Sequence, residues 1–240
     1  MKDSEITIKT MGLPSVFLME ATMPQEIIDA LNNYLDKLLE KKNRESAADR
    51  LVGQIHRGEQ LTIDHKDTSL KNTHNFLCNL GYKYISEFFL NTRQALKTDR
   101  QVSVQHLWSV HSYAGDYNPI HDHGTHTVMG VSCTTWTKVP EQISNKPSPH
   151  AEQFTYTNSS GNVDGFLEFI YGQNAVSDAE KLKPTQAAMM KPEVGKIYYF
   201  PSWLQHTVYP FRGEGERRTV AANFNCYPII EDERNENEFT

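Results

Sequence analysis

The chain has 240 residues, 38% hydrophobic and 22% charged, enough for one large folded unit with a sizeable core. A formal net charge of −6 with no arginine-rich run makes a nucleic-acid partner unexpected, and no apolar run is long enough to span a bilayer. Met1-Lys2-Asp3-Ser4-Glu5 has no cationic region leading into an apolar core, so a secretory leader is not expected. The three cysteines, Cys78, Cys133 and Cys226, are widely spaced and odd in number. They predict free thiols in a reducing cytoplasm, with no disulfide framework or cysteine zinc site.

Residues 5–20 predict a short β segment broken at Gly12 and Pro14. A helix follows, with Thr22 as N-cap and Pro24 in the first turn. Ile27, Ile28, Leu31, Leu35 and Leu38 form its apolar stripe, and Lys41, Lys42 and Arg44 close it. Residues 45–66 are polar and mixed, with Leu51–Ile55 as a short strand or turn. A second helix is predicted from about Thr68 to Leu96, with Gly81 as a break and His74 as a surface or capping residue. From Gln101 the period changes to two, and strands are predicted at 126–137, 153–157, 166–171, 196–200, 205–209 and 217–227. Many short strands with regular breaks point to a sandwich or barrel. The expected class is mainly β with N-terminal helices (α+β). The expected division is a helical lead-in over 1–100, a β core over 101–228 and a loose acidic tail over 229–240, folded as one unit.

Three of the ten histidines, His121, His123 and His126, fall within six positions. In an extended strand residues two apart share a face, so His121 and His123 can hold one ion. Asp122 and His126 fall on the other face unless a bulge re-aims them. After the turn Phe200-Pro201-Ser202-Trp203, His206 arrives on a separate strand as a third ligand. Three protein ligands leave coordination positions open for other species. Eleven residues later comes Arg217-Arg218-Thr219. A guanidinium there can grip a carboxylate through two parallel hydrogen bonds. Arg217 and Thr219 share a face, Arg218 takes the other, and both arginines remain candidates. Trp108, Ser112 and Tyr113 sit just before the histidine stretch, with core packing the better reading for Trp108.

These blocks resemble one family. Gly115-Asp116-Tyr117-Asn118-Pro119-Ile120-His121-Asp122-His123, Gly130-Val131, Gly165-Phe166-Leu167-Glu168-Phe169, Phe200-Pro201-Ser202-Trp203-Leu204-Gln205-His206 and Arg217-x-Thr219 with Asn223 are similar to the iron(II)- and 2-oxoglutarate-dependent dioxygenases. The nearest likeness is to their prolyl-hydroxylase-like branch of uncharacterised bacterial and phage members. The resemblance covers roughly residues 100–228 and implies a double-stranded β-helix (jelly roll) core braced by helices. It implies Fe(2+) held by His121, His123 and His206, with His123 where the family usually has Asp. It implies 2-oxoglutarate as cosubstrate, its far carboxylate on Arg217 with Thr219 adding a hydroxyl. It also implies hydroxylation of a peptide or small-molecule substrate, peptidyl proline being the family-level expectation. The loop Pro140–Ala151 could close as a lid. The rival readings are a three-histidine cupin-like metal protein that does not use 2-oxoglutarate, and a non-catalytic jelly-roll binding module. Oligomeric state is not readable from these residues.

Overall fold

The computed structural model describes residues 7–13, 16–92, 94–95, 99–149, 161–171 and 187–229. The strand predicted at 153–157 and the acidic tail beyond Ile229 lie outside them. The broken β segment at the start is a hairpin, β1 (Ile8–Leu13) and β2 (Val16–Thr22). Helix α1 (Gln25–Glu40) follows; its N-cap position is Pro24, with no side-chain cap. β3 (Glu59–Thr62) lies in the stretch that reads as polar and mixed, and Leu51–Ile55 is loop, tied down by a single bridge from Gln54 to Tyr117. After one 3-10 turn capped by Asp67, α2 runs Lys71–Asn91. The remaining elements are β4 (Arg100–Ser112), β5 (Asn118–His121), β6 (Val131–Lys138), the single turn α3 (Glu141–Ser144), β7 (Leu167–Ile170), β8 (Ala187–Met190), β9 (Lys196–Pro201), β10 (Gln205–Val208) and β11 (Arg217–Pro228).

The described strands all pair antiparallel. The larger sheet has the order β1-β2-β9-β6-β11-β4-β3 and the smaller β5-β10-β7-β8, the two facing sheets of a jelly roll. Alternation assigns each strand's residues to two layers. Phe17, Met19, Ile197, Tyr199, Ala222 and Phe224 face outward and pack under α1 and α2. Leu18, Trp136, Tyr198 and Phe200 face inward and meet Leu167 and Phe169 of the smaller sheet. Gly81 does not break α2. A Cβ there would stand 3.0 Å from Val102 Cγ1, so its absence lets the helix lie close on the sheet.

The chain between Ala47 and Gly58 is anchored from a distance. The buried carboxylate of Asp116 accepts hydrogen bonds from the backbone N–H of His56 and Arg57 and from that of Tyr113. A Cβ at Gly58 would stand 1.5 Å from the His111 carbonyl oxygen, so only glycine fits there. The described part of the expected lid, Pro140–Pro149, packs elsewhere. Ile143 is buried against Phe166, Met189 and Phe211, and Gln142 donates to the Arg212 and Glu214 carbonyls.

Candidate metal centre

His121 ends β5 and lies opposite His206 in the β5–β10 register. β5 ends there, so strand alternation does not place His123. Instead the His123 N–H donates to the Ser202 carbonyl in the β9–β10 turn, which draws it beside the other two. The ligating nitrogens of His121, His123 and His206 all lie within 4.8 Å of one another, the scale of a single coordination sphere. Asp122 and His126 point to solvent and do not join the cluster, and His74 stacks on His65.

Each ring is oriented through Nδ1. His121 Nδ1 is 2.6 Å from the Pro119 carbonyl and His206 Nδ1 is 3.0 Å from the Leu204 carbonyl. A carbonyl accepts only, so these Nδ1 atoms carry the proton and each Nε2 keeps its lone pair. His123 Nδ1 is 3.1 Å from Ser132 Oγ. Burial disfavours the imidazolium form, pushing His123 down to about 3 and lowering His121 and His206 as well. Neutral imidazoles with free Nε2 lone pairs are what a divalent transition metal requires, so the three histidines fit an iron(II) ion.

β11 forms one wall of the site, with Arg217, Thr219, Ala221 and Asn223 at alternate positions. Arg217 is 1% exposed. Its Nη1 donates to the Gly165 and Tyr209 carbonyls, its Nη2 to Ser112 Oγ, and its guanidinium lies over the Phe211 ring. Among the described residues Nε has no partner and no carboxylate is in contact with the group, although the Asp116 charge acts on it from farther away. Burial pulls Arg217 down to about 10, which still leaves it charged at neutral pH. A small inner chamber of about 50 Å³ is lined by His121, His123, His206, Arg217 and Thr219. It adjoins a cleft of about 710 Å³ that shares Trp108, His121 and His123. Leu51 and Val52 line both, so the segment tied to Asp116 stands between the spaces. The polar composition of residues 45–66 hid that role; Gly53, Gly58 and Asp116 were its available signals.

Arg218 faces away. It bonds Glu216 at 2.7 Å, Asp36 of α1 at 2.8 Å and Asn32 Oδ1 at 3.1 Å, so it is fully engaged in the brace. Ser112 joins the site through Arg217, whereas Trp108 packs with Val110 and Ala221 as one of its walls. Tyr113 lies outside both cavities and supplies its N–H to Asp116. Ser132 is the residue that sequence reasoning missed, and its one signal is a hydroxyl on the inward face of an otherwise buried strand.

No curated protein matches the chain. Among solved structures, a prolyl-4-hydroxylase from Pseudomonas putida aligns with a TM-score of 0.54 at 13% identity, covering 88% of this chain and 93% of that one. SnoK, a non-heme alpha ketoglutarate dependent carbocyclase from nogalamycin biosynthesis, aligns at 0.52 and 8% identity, covering 86% and 78%. A prolyl hydroxylase from Trichoplax adhaerens, solved with a hypoxia inducible factor oxygen degradation domain peptide fragment, aligns at 0.50 and 12% identity, covering 91% and 82%. At these identities the likeness is one of fold. Residues 106–223 match the family model described as "Putative 2OG-Fe(II) oxygenase". That span takes in the histidine strand, the β9–β10 turn and the arginine strand, so the part of the chain that carries the site is similar to the 2OG-Fe(II) oxygenases, the family named for iron(II) and 2-oxoglutarate.

Proposed function

We propose that this chain is an iron(II)- and 2-oxoglutarate-dependent hydroxylase. In this reading His121, His123 and His206 hold the metal, and Arg217 with Thr219 holds the far carboxylate of 2-oxoglutarate. One observation carries it: the same chamber is lined by three neutral imidazoles and by a buried, charged guanidinium that, among the described residues, makes no contact ion pair and feels the Asp116 charge only from beyond contact. A buried cation is costly without an anion to meet it, and a dicarboxylate cosubstrate supplies one. The same observation weighs against a three-histidine protein that ignores 2-oxoglutarate.

When bound, the metal, cosubstrate and oxygen together supply oxidative decarboxylation coupled to C–H hydroxylation. The chain's share is placement. Nδ1 contacts fix the imidazole planes, Arg217 sets the depth of the cosubstrate, and Trp108, Val110, Leu167 and Ala221 keep the chamber dry. Substrate enters by the outer cleft, beside Leu51, Val52 and Asp122. Peptidyl proline is the proposed substrate class, supported by the prolyl hydroxylases that share the fold. The division into a bracing lead-in, a catalytic core and a tail belongs to this reading, as does a cytoplasmic location, which the free cysteines support.

The test is succinate formation from 2-oxoglutarate with Fe(II), with and without proline-containing peptides. The parent turns over and His206→Ala does not. Parent protein that binds Fe(II) yet yields no succinate with any substrate would leave a non-catalytic binding module.

A further inference from the structure

The ligand set asks more of His123 than of the other two histidines. His121 and His206 take their tautomers from backbone carbonyls, which no side-chain change removes. His123 faces a hydroxyl, which can donate or accept. What decides the direction lies one residue further out.

Ser132 on β6 and Asn223 on β11 are directly opposed across the larger sheet. Asn223 Nδ2 reaches the Gly124 carbonyl at 3.4 Å, and a carbonyl needs a donor, so Oδ1 is the atom turned toward Ser132. Ser132 Oγ lies 2.8 Å from that Oδ1. An amide oxygen cannot donate, so Ser132 gives it the hydroxyl proton. Only lone pairs then face His123, and its Nδ1 must carry a proton to use them. Ser132 is fully buried and Asn223 nearly so, so water offers little competition.

We infer that Ser132 and Asn223 are positioning residues that hold His123 in its Nδ1–H tautomer and aim its Nε2 lone pair at the metal. The inference rests on the reading of His123 as a ligand. The chain of donors runs His123 to Ser132 to Asn223 to the Gly124 carbonyl, and so returns to the loop that carries His123. Asn225, two residues along β11, accepts from the N–H groups of His126 and Thr127 in the same loop. β11 therefore orients both the ring and the backbone that bears it.

Full-length, metal-free protein is titrated with Co(II) by calorimetry, and its histidine tautomers are read by 15N NMR. Ser132→Ala and Asn223→Leu each weaken Co(II) binding about 10- to 100-fold. The double variant is no weaker than the worse single one, because both changes cut one chain. Ser132→Thr, which keeps the hydroxyl, restores most of the affinity. In Asn223→Leu the freed hydroxyl turns to donate to His123, which shifts the ring to its Nε2–H form. If Asn223→Leu does not fold, Asn223→Ala takes its place, with the same weakening of Co(II) binding and the same shift of the His123 tautomer expected. Parental Co(II) affinity in both single variants, or an unchanged His123 tautomer in Asn223→Leu, would overturn the inference while His121→Ala still abolished binding. If His121→Ala bound Co(II) like the parent, the metal reading itself would fail, and the inference with it.

Discussion

Arg217 and Arg218 are neighbours in the chain with opposite fates, because β11 turns one inward and the other toward α1. Arg218 has Glu216 and Asp36 for company, while among the described residues Arg217 touches neutral acceptors and has an idle Nε. The expected result of Arg217→Ala is a rise in the Kd for 2-oxoglutarate of roughly 30- to 150-fold, matching the roughly 2–3 kcal/mol of a charge-assisted contact. Metal affinity stays near the parental value. Arg217→Lys recovers only part of the loss, since lysine keeps the charge but not the planar fork. Calorimetric titration of 2-oxoglutarate into anaerobic, Mn(II)-loaded protein reads both variants, and parental affinity in Arg217→Ala would remove Arg217 from the site. At this scale much was legible: strand periodicity separated the two arginines by face, and the His-x-His spacing marked two of the three clustered imidazoles. The reason given for His123 did not hold, because β5 stops at His121 and a contact to Ser202, 79 residues downstream, does the placing.

Between elements, the start of β11 is clipped to the brace. Glu216 accepts from Arg218 and meets His111 Nδ1 at 2.6 Å, while Arg218 reaches on to Asp36 of α1. Burial alone would raise the Glu216 carboxyl, but the hydrogen bonds from His111 and Arg218 outweigh it and hold the group at about 2. The sign follows from linkage. Between the unfolded value of 4.5 and the folded value of about 2, the unfolded chain holds a proton that the folded one does not. The contribution of Glu216 is therefore complete above about pH 4.5 and fades as the pH falls toward 2. Glu216→Gln is expected to lose roughly 2 kcal/mol at pH 7, the scale of hydrogen bonds to a charged group. The gap to the parent narrows at pH 3. Urea unfolding at the two pH values measures it, and a gap that widened on acidification would contradict the assignment. The clip was not legible in the sequence, since Asp36 and His111, which complete it, lie far from Glu216 and Arg218 in the chain. The helices themselves were legible as stripes, although Thr22 was expected as a cap and the chain uses Pro24.

For the whole molecule, periodicity revealed the strands but not their order. β9 enters between β2 and β6, and β11 between β6 and β4, pairings that depend on contacts far apart in the chain. This order brings β5, β10 and β11 around one chamber, so loading the chamber must stabilise the fold that forms it. A ligand at about 100 times its Kd adds about 2.7 kcal/mol to folded stability. For a chain of this size that is a rise in Tm of roughly 5–10 °C. Co(II) alone is expected to raise the Tm of the parent, and 2-oxoglutarate to raise it further only when Co(II) is present, because in the proposed reading metal and cosubstrate share one chamber. His121→Ala should lose both increments. Arg217→Ala should keep the first and lose most of the second, since its histidines are intact and the proposed anion site is not. Differential scanning calorimetry on the parent and these two variants separates the cases. A 2-oxoglutarate increment that survived in Arg217→Ala would mean the dicarboxylate is held elsewhere. An increment from 2-oxoglutarate without metal would mean that the metal and cosubstrate sites are not coupled as the shared chamber requires.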